Sequence, residues 1–126
     1  MKTYKVAVGE RELTLRGLTN QVKEDVTDVV RANEIRTNAR LLKKGLITGE
    51  EYLTEKQSVM GLNFASEPLI KFITTPEGKE SLVRAMVVNE DVTDAEIQEL
   101  VASLQDSDTA IGAVFTVIFE DAYPKK

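Results

Sequence analysis

The chain has 126 residues, a formal net charge of −5, and no cysteine, histidine or tryptophan. The missing residue types exclude a disulfide framework, thiolate or imidazole zinc sites and every histidine-dependent triad. The acidic balance and the 6% aromatic content weigh against non-specific nucleic-acid or anionic-lipid binding and against base-stacking platforms.

A composition of 42% hydrophobic and 29% charged residues predicts one soluble globular domain over 1–126, with a β-hairpin at 1–18 and a helical body at 19–123. No apolar run reaches bilayer length and the N-terminus lacks a signal-peptide core, so a cytoplasmic location is expected. In the hairpin, Tyr4, Val6 and Val8 alternate with Lys5 and Ala7, and Leu13 and Leu15 alternate with Glu12, Thr14 and Arg16. That period places one face on a core. Gly9-Glu10-Arg11 supplies the turn, and the hairpin must then pack on helices or pair with further strand.

Thr19 or Asn20 caps a long helix running to about Lys44, with Glu24, Asp25 and Asp28 near its start and Arg40, Lys43 and Lys44 near its end. Its apolar stripe changes side. Val22, Val26, Val29 and Val30 form the first part, and Ala32, Ile35, Ala39, Leu42 and Leu46 the second. The helix therefore bends, or its two halves face different partners. Gly45 ends it and Thr48 caps the next helix, which holds Tyr52, Leu53, Val59, Met60 and Leu62, giving an αα-hairpin.

A short helix follows from Pro68 through Ile73, and Thr75-Pro76-Glu77 opens another holding Leu82, Val83, Met86 and Val87. Residues 89–92 read as a polar turn. Thr93 and Glu96 form a capping box for an amphipathic helix carrying Ile97, Leu100, Val101 and Leu104. The last run, AIGAVFTVIF at 110–119, has Thr116 as its one polar side chain. It reads as a central helix, apolar on every side, capped by Asp106, Ser107 or Asp108, although its β-branched residues also suit a buried strand. Gly112 would admit a neighbouring helix, and Pro124-Lys125-Lys126 reads as a frayed end. The class expected is α+β, mostly α-helical: an N-terminal β-hairpin, five to six helices, and the C-terminal one buried.

Chemistry is sparse. The acidic pairs Glu50/Glu51, Glu90/Asp91 and Glu120/Asp121 fall where helix ends or solvent account for them, and adjacent residues on a helix point apart. Asp106-x-Asp108 fails as a calcium loop, with Ala110 and Ile111 in its fifth and sixth places. No Gly-rich phosphate loop is present, and no cofactor, metal or catalytic residue is assigned. The basic set Arg31, Arg36, Arg40, Lys43 and Lys44 suits a solvated face complementing the helix dipole, with an acidic partner segment as the other reading. Phe64, Leu69, Ile70, Phe72, Ile73, Val87, Val88 and Phe119 either all join the core or leave a surplus that marks a partner site.

The opening YKVAVGERELTLRGLT, the small acidic helical body and the closing AVFTVIFEDAYPKK resemble phage tail assembly chaperones. The resemblance implies a protein that binds a long helical tape-measure client and presents it to tail-tube subunits, without enzymatic activity, in the host cytoplasm. A small structural subunit of a virion or other complex (connector, adaptor or decoration) and a regulatory binder of a host protein are the alternatives, and self-association is compatible with each. The expected partner surface is the second stripe of the long helix, Ile35, Ala39 and Leu42, with Arg36 and Arg40 beside it.

Overall fold

Val6 and Val8 on one strand and Leu13 and Leu15 on the next turn the same way and are buried together. In a computed structural model describing residues 2–123, they belong to β1 (Thr3–Val8) and β2 (Arg11–Arg16), an antiparallel pair with Val8 opposite Arg11. The two-residue turn works because Gly9 takes φ 64°, a left-handed conformation that side chains disfavour. β1 packs on α5 (Asp94–Ser103) and α6 (Ala110–Ala122). The outer edge of β2 is covered by the segment after α4 (Pro76–Met86): Leu15 bridges to Val87, and the Val88 amide donates to the Thr14 carbonyl at 2.9 Å. The Thr14 amide donates to Asn89 Oδ1 at 2.8 Å, so the polar turn expected at 89–92 also closes a sheet edge.

α1 (Asn20–Lys43) starts at Thr19, whose hydroxyl accepts from the Val22 amide. Val22, Val26 and Val30 enter the core cluster with Leu82, Val83 and Met86 of α4, and Thr27 satisfies its buried hydroxyl on the Lys23 carbonyl. No residue of α1 beyond Val30 is buried. The change of stripe predicted from the sequence is therefore the point at which the helix leaves the body. α2 (Gly49–Met60) returns alongside α1 after a Schellman turn, in which Gly45 takes φ 74°, its amide donates to Leu42 and the Leu46 amide donates to Leu41. Thr48 and Glu51 form a full capping box at the start of α2. No apolar residue between Val30 and Leu62 belongs to the core cluster or packs against it. The second half of α1 and α2 thus form an arm.

Short α3 (Glu67–Phe72) buries Leu69 and packs on α1 and α4. α5 begins at the Thr93–Glu96 capping box and buries Ile97 and Leu100. The run at 110–119 is helical, as expected, but α6 buries one face only: Ile111, Gly112, Phe115 and Ile118 go inward, while Val117 is 46% exposed. The described chain places β1 and α5 against this helix and has no further layer for its other side. Its cap is Thr109, not Asp106, Ser107 or Asp108. Thr109 wins because its hydroxyl both accepts from the Gly112 amide and donates to the Asp106 carbonyl, while Asp106 spends a carboxylate oxygen on the Asp108 amide. Gly112 admits the backbone of the preceding loop, not another helix: a Cβ there would lie 1.7 Å from the Asp106 carbonyl oxygen. Thr75 and Gly78 repeat the arrangement at the start of α4, against the Phe72 carbonyl. Pro124-Lys125-Lys126, expected as a frayed end, lies outside the described residues.

Candidate protein-interaction surfaces

The arm has a seam and two broad sides. Arg31, Ile35, Asn38, Leu41 and Leu42 are the half-buried positions of α1 beyond Val30, and they recur at helical spacing. On α2, Tyr52 is half-buried and Val59 buried, again at i and i+7. These two rows face each other. Ala32, Arg36, Ala39 and Lys43, at i, i+4, i+7 and i+11, form an exposed row about a quarter turn further round α1. Leu53 and Met60 form the matching row on α2 and are 60% and 57% exposed. Because the helices run antiparallel, rows displaced in the same rotational sense emerge on the same side of the pair. One broad side therefore combines small and large apolar groups with Arg36, Lys43 and Lys56. The other is acidic, a shallow cleft lined by Asn38, Ile47, Glu50, Glu51, Thr54 and Glu55.

Of the sequence-predicted residues, Ala39, Arg36 and Arg40 reach solvent, whereas Ile35 and Leu42 are half-buried on the row turned toward α2. Arg31, grouped with the basic set, is committed elsewhere: it pairs with Glu24 and Asp28, and its guanidinium donates to the Leu62 carbonyl. Arg36, Arg40, Lys43, Lys44 and Lys56 form no ion pair among the described residues. Leu53 and Met60 are the residues that the sequence underweighted. Their signal is two parallel i, i+7 rows on one helix, Tyr52/Val59 and Leu53/Met60, which is more than one two-helix seam covers.

A second surface lies on the body, where the chain returns from α2. Phe64, Ile70, Ile73 and Tyr123 line an open groove of about 640 Å³ with Asn20, Lys23 and Glu24 at its rim. The groove continues into a depression of about 260 Å³ between Leu18, Leu82, Leu104 and Phe119. Ile70 is 52% exposed there, and Lys23 Nζ lies 5.2 Å from the Tyr123 ring centroid. Of the eight surplus apolar residues, Leu69 and Val87 are buried, Ile70 and Val88 are exposed, and the others are half-buried. The surplus is real but spread over two places.

The polar clusters hold the fold together. Asp121 accepts from Lys2 Nζ at 2.8 Å and Tyr4 Oη at 2.7 Å, tying the first strand to the last helix. The Lys2 hydrogen bond, followed by that of Tyr4, holds the Asp121 carboxyl below the usual carboxylate range. Arg11 reaches Asp91 and Glu96, and Arg84 reaches Glu80 and Asp94. Among the described residues no group of three carboxylates gathers as a metal site, and no helix is long and apolar enough to cross a membrane. Compared with protein-family models, curated proteins and solved structures, the chain matches none.

Proposed function

We propose that this protein holds another protein chain without catalysis, as an assembly chaperone of the phage tail type with a long helical tape-measure client. The reading is supported chiefly by the arm, which lies apart from the core cluster and leaves Leu46, Leu53 and Met60 in solvent at 57–68% exposure. A helix with an apolar stripe fits a surface of parallel helical ridges, and exposed apolar groups on a small domain gain most by covering such a stripe. The protein acts in the host cytoplasm in this account and leaves its client before the particle is complete.

The opposite charges on the two sides of the arm favour a second reading, a structural subunit whose copies stack arm on arm and stay in the assembly. Affinity capture from the native source, with mass spectrometry of the co-purifying proteins and of the finished particle, separates the two. A long helical client bound by a protein absent from the particle is the expected result. Stoichiometric retention in the particle would replace it with the structural reading.

A further inference from the structure

We propose that the docking site is the basic, apolar side of the arm, and that its occupant is an amphipathic helix of the partner with carboxylates flanking its apolar stripe. This inference rests on the reading of the protein as a holder of a helical client and specifies the chemistry of the segment held. The observation behind it is one of charge. The chain carries 21 acidic and 16 basic residues, yet the side formed by Ala32, Arg36, Ala39, Lys43, Leu53, Lys56 and Met60 contains three cations and no carboxylate; Asp28, one turn before Ala32 on the same row, is already paired with Arg31. By helical position Glu34, Glu51 and Glu55 fall on the opposite side, and Glu50 joins the cleft there. Among the described residues Arg16, Lys23 and Lys79 also form no ion pair, so it is the lack of carboxylates among these positions, rather than the lack of pairing, that sets this side apart.

The apolar groups lie between the cations. Leu53 and Met60 run along α2, Ala32 and Ala39 keep α1 low, and the furrow between the two helices accepts a third helix laid along it. Arg36 and Lys43 on one wall and Lys56 on the other then face the flanks of that helix, where carboxylates satisfy them and lysines are repelled. A second copy bound through the same side by a two-fold axis would set Arg36, Lys43 and Lys56 against their own equivalents, which disfavours it. A nucleic acid offers the right charge but leaves Leu53 and Met60 without an apolar partner.

The test uses the full chain and two fluorescent peptides of about twenty residues, long enough to form a helix. Both carry the same leucine stripe; one is flanked by glutamates and the other by lysines. Fluorescence anisotropy should show the glutamate peptide binding at least tenfold tighter, with the advantage shrinking as salt rises. Combined Arg36→Glu, Lys43→Glu and Lys56→Glu should reverse the preference, and Leu53→Glu should weaken both peptides. All of these positions are exposed, so unchanged circular dichroism and melting temperature show that the variants fold. Equal or tighter binding of the lysine peptide, binding of neither, or displacement of the glutamate peptide by an oligonucleotide would overturn the proposal. So would an oligomer that blocks the peptide and is dissolved by Leu53→Glu, which makes the occupant a second copy. If the peptide preference holds but no tail client is captured, the docking chemistry stands and the tail-chaperone reading falls. If a client is captured without the preference, it binds elsewhere.

Discussion

The Arg31 guanidinium donates to the Leu62 carbonyl, joining the point where α1 leaves the body to the chain just beyond α2. The same guanidinium is paired with Glu24 two turns back and Asp28 one turn back along α1, and these bonds, Glu24 first, raise its pKa above the ordinary value. Arg31 is therefore the clasp at the foot of the arm. Arg31→Ala should loosen α2 and leave the body folded. Amide exchange in α2 should rise roughly tenfold while the amides of Leu13 and Leu100 stay protected. Equal acceleration in both would show that the arm and the body open as one unit.

Two glycines should respond in opposite directions. Gly112→Ala forces a Cβ against the Asp106 carbonyl, with the Ser103 carbonyl 2.8 Å away, and backbone on two sides leaves little room to give. A loss of about 3 kcal/mol is expected. Gly49, in the first turn of α2, has nothing within 4 Å, and Gly49→Ala should add about 0.5 kcal/mol by restricting the unfolded chain. Denaturant unfolding of the two variants measures both.

The one-sided burial of α6 predicts a sharp contrast along a single helix. Phe115 is fully buried, so Phe115→Ala should cost about 3–5 kcal/mol. Val117→Ala, on the open side, should change stability by no more than about 0.5 kcal/mol. Comparable losses at the two positions in thermal or denaturant melts would mean that the open side is covered in solution.

Asp121 gives the molecule an acid-sensitive tie between its first strand and last helix. Its folded-state pKa is lowered, so its contribution is present above the unfolded carboxylate pKa and disappears as pH falls through the lowered value. Asp121→Asn should therefore melt below the native protein at neutral pH, and the gap should close on going below about pH 4. A gap that widens in acid would place the native role of Asp121 elsewhere.

Much of the fold was legible because its signals are local. Alternation at Val6, Val8, Leu13 and Leu15 marks the hairpin, Gly45 and Thr48 mark the arm's turn, and the Thr93–Glu96 capping box marks α5. The cap of α6 was not legible, because Asp106, Ser107, Asp108 and Thr109 all offer an oxygen and the choice depends on where the loop backbone meets Gly112. The exposure of Val117 depends on how many layers the molecule has, which an apolar run does not encode. The rotating stripe of α1 was readable, but not the destination of its second half. Ile35 and Leu42 turn toward α2 and Arg40 is left to the solvent, while Ala39 and Arg36 lie beside a row on α2 that only the pairing of the helices brings near.

The arm is the proposed surface that holds the partner. The most direct measurement is capture from the native source by three forms of the full chain: the native protein, Leu53→Glu combined with Met60→Glu, and Ile70→Glu in the groove on the body. All three changed side chains are more than half exposed, so the variants should fold. The account predicts that the arm variant loses the native protein's partner while the Ile70→Glu variant keeps it. Retention by the arm variant, with loss from the Ile70→Glu variant, would contradict the account and move the binding site to the groove.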